Sequence, residues 1–309
     1  MKAAVLRAYG VPGFEEFPDP EPREGAQVVA VRAATVNAVD VAIAAGTHYL
    51  SPRELPVVPG IEGVGVLPDG QRVYFGWPVA PHGSMAPVAL VRDELSTPLP
   101  DEVPDAVAAT LGNAGLAAMM PMSWRAGLRA GESVLVLGAT GVVGRLAVQV
   151  AKLLGAGRVV AAGRDPEALE ELAGVGADAV VRLTEDDLTT RFTEAAQGRV
   201  DVVVDYTWGA PAEAALRAIA TNGRLAQVGD RAGGTITVPS QVMRSTGAAV
   251  FGFMPTHAGP RVMAESYRRL LGWGAAGELD VRVEELPLSE VAAAWERERT
   301  SRHKLVLVP

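Results

Sequence analysis

Cysteine is missing from all 309 residues, which excludes disulfides, thiol nucleophiles and Cys-ligated zinc. Histidine is scarce, with four in the chain, and neither His48 nor His82 has an identifiable partner to make it a catalytic base. Basic charge is in deficit: the net charge of −8 argues against nucleic acid or an anionic membrane as the main partner. Long hydrophobic runs are lacking, since no stretch reaches the ~18 uninterrupted apolar residues of a membrane span. The opening MKAAVLRAYG carries Arg7 and Gly10 where a secretory signal needs an unbroken apolar core. Internal repeats and low-complexity tracts are absent as well. The expectation is a cytoplasmic enzyme.

What is present is an ordinary globular composition, 49% hydrophobic and 21% charged, in a chain long enough for two domains. The stretch Gly131 to Asp165, GESVLVLGATGVVGRLAVQVAKLLGAGRVVAAGRD, organises it. Ser133 to Leu137 is a short apolar run of the kind a parallel sheet buries on both faces. Gly138, Gly141 and Gly144 follow at three-residue spacing. A helix pattern begins at Val142, with Val143, Leu146, Ala147, Val150, Leu153 and Leu154 on one side. Gly155 and Gly157 stop it, and Val159 to Ala162 reads as the next strand. The first amides of such a helix lack partners and sit at the positive end of its dipole, so they suit a phosphate. Glycine lets the backbone approach a pyrophosphate, and the βαβ setting makes the spacing a dinucleotide fingerprint.

Residues 1 to about 117 do not alternate strand and helix. Lys2 to Arg7, Gln27 to Thr35, Gly63 to Leu67, Gln71 to Phe75 and Ala86 to Val91 read as short strands punctuated by Pro and Gly, a mostly antiparallel β domain. Asp101 to Met120 is helical in pattern. From Gly131 to Phe253 strands and helices alternate, which predicts a doubly wound (Rossmann) parallel sheet. The closing segment is mixed and ends in the strand Lys304 to Val308. The expected division is residues 1–117, 118–253 and 254–309, the last returning to complete the first.

The chain resembles the zinc-independent, NADPH:quinone oxidoreductase-like medium-chain dehydrogenase/reductases. The motifs that carry the resemblance are MKAAVLRAYG at the start, VNAVDVAIAAG (36–46), PGIEGVG (59–65), GSMAPVALV (83–91), LGATGVVGRLAVQVAKLLGA (137–156) and KLVLVP (304–309). It covers nearly the whole chain, and 137–156 is its most specific part. It implies a GroES-like, mostly β catalytic domain built from both chain ends, a Rossmann domain between them, and a homodimer. In the zinc-dependent branch a Cys falls where Asn37 stands, a His at Ile61 and a second Cys at about Asn113. Asp40 and Glu62 survive, but two carboxylates without a soft ligand do not make that site, so no metal is expected.

Cofactor choice is read at the tip of the second strand, where an acidic residue would hold the ribose 2′-OH of NAD. That position is Gly163, followed by Arg164, whose guanidinium can clasp a 2′-phosphate. Asp165-Pro166-Glu167 reads as a helix start. Relatives often place a Tyr near Leu183; its absence leaves Arg182 as a substitute. The expected cofactor is NADPH. Fold and resemblance together place Gly138, Thr140, Gly141, Val142, Val143 and Gly144 on the pyrophosphate and Tyr206 on the adenosine side. They place Val228 and Gly229 at the nicotinamide, with Phe253 and Lys304 as further contacts.

Hydride transfer asks the protein for position and electrostatics rather than reagents. Without zinc a plain carbonyl has no Lewis acid, which favours quinones and α,β-unsaturated carbonyls over simple alcohols. Asn37 is the expected polar site residue, aimed at the nicotinamide ribose or the substrate oxygen. Tyr49 is the candidate donor in place of a Tyr that many relatives carry near Ala42. The reading is NADPH-dependent reduction of a small conjugated acceptor. A dedicated enone or imine reductase and a non-catalytic NADPH-binding protein are the alternatives. The apolar strand Ala248 to Phe253, at a sheet edge, is the expected homodimer contact.

Overall fold

The apolar runs from Ser133 onward become six parallel strands, whose central members Ser133–Leu137 and Arg158–Gly163 are almost wholly buried between the helices that connect the strands. In spatial order the strands are Ala179–Arg182, Arg158–Gly163, Ser133–Leu137, Val200–Asp205, Ile219–Gln227 and Ala249–Gly252. All five pairings are parallel. The order reverses between Ser133–Leu137 and Val200–Asp205, the switch point where such sheets bind ligands beyond their carboxyl ends. In this computed structural model, which describes residues 1–184 and 186–309, the sheet lies in a unit running from Gly115 to Ser266. Its core packs Leu135, Leu137, Val160, Val203 and Leu225 against Phe192, Leu216 and Ile219.

The second unit joins Met1–Ala114 to Tyr267–Pro309. Its main sheet runs Val283–Pro287, Lys304–Val308, Ala26–Thr35, Glu62–Val66, Arg72–Gly76 and Ser96–Pro98, with Val88–Arg92 also paired to Ala26–Thr35. Pairing is antiparallel except between Val283–Pro287 and Lys304–Val308. The last strand of the chain thus closes on a strand near its beginning, with Val306 opposite Thr35. Trp295 lies in this core with Phe75, Met85 and Leu305.

The units divide at 114/115 and 266/267, whereas the composition shifts placed the divisions at 117/118 and 253/254. The second falls inside the helix Gly259–Ala275, a continuous hydrogen-bonded element in which no change of pattern marks a boundary. The helical stretch expected from Asp101 to Met120 is two helices, Asp105–Leu111 and Asn113–Met120, broken at Gly112. The helices Ala38–Ala44 and Ser240–Thr246 carried too short an amphipathic pattern to be read beforehand. Among the described residues no helix is long and apolar enough to cross a membrane.

Candidate functional site

In the parallel-sheet unit the site grows out of the turn after Leu137. Gly138 has φ +85°, open to glycine at little cost. The amides of Gly138 and Ala139 both donate to the Ala162 carbonyl at 2.9 Å, which ties the turn to the neighbouring strand. The helix Val142–Leu153 then starts on Gly141, which offers no side-chain cap. The amides of Val142, Val143 and Gly144 have no intrahelical acceptor at that end. A Cβ on Gly144 would stand 2.2 Å from the Gly138 oxygen and 2.6 Å from the Ala139 Cα. Only glycine therefore lets the helix seat so close to its own turn.

Gly163, at the tip of the second strand, plays the same part against Thr140, whose Cγ2 would lie 2.5 Å from an added Cβ. Arg164 beyond it is exposed and bonds to no described residue. Arg182, also exposed, is paired in register with Gly163 on the adjacent strand. Asp165 caps the next helix by accepting from the Ala168 amide at 3.2 Å. The tip therefore bears two arginines, and its nearest carboxylate serves the backbone.

Across the switch point, Asp205 ends the fourth strand and fixes the segment after it. One of its oxygens accepts from the Thr207 amide, the Thr207 hydroxyl and the Trp208 amide at 2.8, 2.9 and 2.9 Å. Its other oxygen is buried without a hydrogen-bond partner among the described residues. Burial pushes the carboxyl above its ordinary range. Sequence reasoning passed over this residue; the signal was a carboxylate at a strand's carboxyl end in the switch-point strand. The Tyr206 hydroxyl donates to the Ala117 carbonyl at 2.8 Å, and the Tyr206 backbone abuts Gly229, where a Cβ would stand 2.7 Å from its oxygen. The amides of Val228 and Gly229 both donate to the Asp205 carbonyl. Gly138, Tyr206, Val228 and Gly229 are thus drawn to one place. Phe253 follows the sixth strand, its amide on the Gln227 carbonyl and its ring edge-on to Trp124 at 6.5 Å.

The other unit holds a buried polar cluster that begins with VNAVD. Asn37 starts the helix Ala38–Ala44, and the Asp40 carboxylate, three residues on, accepts the Asn37 amide at 2.9 Å. The second Asp40 oxygen takes the Ile61 amide at 3.0 Å. Thr35 donates across the sheet to Glu62 at 2.5 Å, while the other Glu62 oxygen accepts from the Tyr74 hydroxyl and the Asn113 amide. The Asn37 Nδ2 lies 3.0 Å from each of Thr35 Oγ1, Asp40 Oδ2 and Glu62 Oε1. On its opposite side Asn37 Oδ1 accepts from Lys304 Nζ, with Asn113 Nδ2 at 3.4 Å. Asn37 is 2% and Lys304 6% exposed.

Burial outweighs the hydrogen bonds at Asp40 and raises its pKa to about 7. Burial likewise lowers the Lys304 ammonium from its ordinary value, against the pull of Glu62 and Asp40. Gly112 makes the cluster possible, since a Cβ there would stand 2.4 Å from Glu62 Oε2. Thr35, Tyr74 and Gly112 gave no signal in the sequence, because cross-strand register alone brings them to Glu62. The predicted site residues of this unit separate: Asn37 and Lys304 meet, whereas Tyr49 is 76% exposed, its ring tilted 4.0 Å from that of His48. Among the described residues no group of three or more His, Cys, Asp or Glu side chains is placed to hold a metal ion.

Residues 142–272 match the family model described as zinc-binding dehydrogenase. Bovine prostaglandin reductase-3 is 30% identical over 290 residues, covering 87% of this chain and 74% of its own length. The quinone oxidoreductase of Thermus thermophilus, solved alone and in complex with NADPH, superposes with a TM-score of 0.87 at 30% identity over the whole of both chains. The chain belongs to the medium-chain dehydrogenase/reductase family. A third relative of this dehydrogenase/reductase, erythronolide synthase EryA2 of Saccharopolyspora erythraea, is 31% identical over 313 residues. That match takes in 95% of this chain and 8% of the synthase, so the chain spans only a small part of that relative's length. Within the family, this member places Asn37 and Asn113 side by side with a lysine ammonium on the Asn37 oxygen.

Proposed function

We propose that this dehydrogenase/reductase uses NADPH to reduce a conjugated acceptor, a quinone or an α,β-unsaturated carbonyl, without zinc. The observation that carries the reading is the uncapped helix start at Gly141, packed on Gly138 closely enough to exclude any side chain at Gly144. Bare amides at the positive end of a helix dipole bind a pyrophosphate. A bound reduced dinucleotide supplies the hydride. Gly138, Thr140, Gly141, Val142, Val143 and Gly144 hold its diphosphate in this reading. Arg164, with Arg182 beside it, holds the 2′-phosphate at the Gly163 tip, and Tyr206, Val228, Gly229 and Phe253 border the remainder.

The zinc-free part rests on donor chemistry. Asn37, Ile61 and Asn113 supply no thiolate and no imidazole, and the Asn37 oxygen already accepts from an ammonium. A second cation has no place in such a donor set. Without a Lewis acid the acceptor has to delocalise the incoming charge itself, as quinones and enones do. The likeness to a stretch of erythronolide synthase supports the narrower reading of a biosynthetic enone reductase. A panel of quinones and enones, followed by the loss of NADPH absorbance, tests the function; NADPH bound tightly with no acceptor consumed would make the protein a binder instead.

The homodimer belongs to the same proposal. Among the described residues the strand Ala249–Gly252 ends the sheet with an unpaired edge, Val250 is 38% exposed, and the Arg125 guanidinium stacks 5.0 Å from the Phe251 ring. A second copy pairing along this edge would cover it. Light scattering at micromolar concentration should give twice the chain mass, and a monomer mass would contradict it.

A further inference from the structure

Two turns leave the parallel sheet beside its switch point, and each is fixed by the last side chain of its strand. Asp205 and Gln227 are paired in register at the carboxyl ends of the fourth and fifth strands. Gln227 Nε2 donates to the Gly229 carbonyl at 3.1 Å, while Asp205 holds Thr207 and Trp208 through one oxygen. The turns also grip each other. The Gly229 amide donates to the Asp205 carbonyl, and the Ala232 amide to the Thr207 carbonyl at 2.6 Å. On its other side the first turn lies against the glycine turn, where a Cβ on Gly138 would stand 3.2 Å from Thr207 Cγ2 and 3.3 Å from Tyr206 Cβ.

Two features of the first turn work against stability. Trp208 is held at φ +55° and ψ −160°, a backbone region that suits glycine and strains any other residue. The carboxylate that restrains it is fully buried, and its second oxygen has no hydrogen-bond partner among the described residues, which is itself a cost. Strain of this kind persists where the surroundings over-determine it, and it gathers at ligand clamps. Asp205 is shut off from any ligand, so its influence on the site passes through the backbone it holds.

We propose that Asp205 is a positioning residue for the nicotinamide half of the dinucleotide: it clamps the turn 206–208 in its strained conformation and so fixes the wall that this turn forms with Val228 and Gly229. This rests on the reductase reading above, and every residue in it belongs to the unit Gly115–Ser266. Charge makes the clamp strong, since an ionised oxygen accepts shorter and stronger hydrogen bonds than a neutral one. Three donors on that oxygen oppose the return of Trp208 to an ordinary negative φ. Without them the Thr207 carbonyl leaves Ala232, the Thr207 methyl leaves Gly138, and the wall loses its place. The 2′-phosphate end of the site is independent of this clamp. Gly163, Arg164 and Arg182 stand on the far side of the strand Ser133–Leu137 from Asp205.

The test uses the full chain and two probes, NADPH and adenosine 2′,5′-bisphosphate, which lacks the nicotinamide half. Asp205→Ala should bind NADPH at least about tenfold more weakly than wild type, a change of about 1.4 kcal/mol, and the bisphosphate as tightly as wild type. A general loss of structure would weaken both probes together; that result overturns the proposal, as does unchanged NADPH binding. Relief of the strain is the second arm. Asp205→Ala combined with Trp208→Gly should bind NADPH more tightly than Asp205→Ala alone, because glycine takes the turn's conformation without the clamp. Two residues acting on one turn couple in this way, whereas independent structural losses add. Trp208 packs on the edge of the sheet's core, so binding is read well below the unfolding temperature of each variant. A double variant no tighter than Asp205→Ala overturns the proposal. If Asp205→Ala does not fold, Asp205→Asn decides. It keeps the accepting oxygen without its charge and should weaken NADPH while sparing the bisphosphate; an NADPH affinity equal to wild type overturns the proposal. Failure of wild type to bind NADPH defeats the reductase reading and this one with it, whereas binding that is indifferent to Asp205 defeats this one alone.

Discussion

Lys304 and Asn37, 267 positions apart in sequence, meet at a single hydrogen bond from ammonium to amide oxygen. The register of the closing strand brings them together, since Val306 pairs with Thr35 and the two segments run on in opposite directions to Lys304 and Asn37. Removing the amide leaves a buried cation without an acceptor and two carboxylates without the group between them. Asn37→Ala should therefore lose about 1.5–3 kcal/mol of stability, the cost of removing hydrogen bonds to buried charged groups. Urea unfolding of the variant against wild type measures it, and a loss within the error of the method would show the amide to be dispensable.

Asp40 predicts an unusual pH dependence. Its carboxyl is raised from 3.8 to about 7, chiefly by burial. Between those values the folded chain keeps a proton that the unfolded chain has released, so this residue makes stability fall as pH rises through that window. About three pH units at 1.36 kcal/mol each amount to about 4 kcal/mol. Denaturant midpoints from pH 4 to 7 should show the slope in wild type, and Asp40→Asn should flatten it. An identical slope in both proteins would assign the proton elsewhere.

Glu132 predicts the opposite sign. Arg224 grips its carboxylate with two nitrogens at 2.9 and 2.8 Å while also donating to the carbonyls of Ala126 and Gly127. The Arg224 hydrogen bond is the largest influence holding the carboxyl below its ordinary value of 4.5. The stabilisation is fully present above that value and is lost as pH falls through the lowered one. Glu132→Gln should cost about 1–3 kcal/mol at neutral pH and nothing at low pH, where both side chains are neutral. Thermal unfolding at the two extremes checks it.

The strand tip predicts cofactor preference. Arg164→Asp should turn a preference for NADPH into one for NADH, with a change in the Kd ratio of about tenfold or more, since a charge-assisted bond contributes about 1.5–3 kcal/mol. Arg182→Ala should produce a smaller shift in the same direction. Gly144→Ala should abolish binding of both dinucleotides, because its Cβ meets backbone atoms of the turn rather than a side chain that can move. Fluorescence titration of each variant reports these constants, and an unchanged preference in Arg164→Asp would remove the guanidinium from the account.

The glycine turn and the alternation around it were legible because every signal there is local. The apolar run at Ser133, the spacing from Gly138 to Gly144 and the Asp165-Pro166 helix start lie within one βαβ stretch. The parallel, doubly wound sheet followed from the same rhythm, and its strand order came only with the structure. The buried cluster was legible only in part. The motif VNAVDVAIAAG brought out Asn37 and Asp40 through the family resemblance, without the helical turn that joins them. The resemblance set Glu62 beside them, but nothing in the sequence placed Tyr74, Gly112 and Lys304 there, because strand register across distant segments does that. The break at Gly112 was hidden for a related reason: the glycine answers to Tyr74 and Glu62, not to its own helix. Tyr49 read as a donor because it could replace the Tyr that many relatives carry near Ala42, and sequence carries no measure of the exposure it has here.

The central claim is that a metal-free protein transfers hydride from NADPH to a conjugated acceptor. The most direct measurement is the rate of NADPH oxidation with a quinone and an enone, in protein dialysed against a strong chelator and in the same protein with zinc restored. The account predicts consumption of NADPH with at least one acceptor, at a rate the chelator does not lower and zinc does not raise. No turnover with any acceptor despite tight NADPH binding, or activity that appears only on adding zinc, would contradict it.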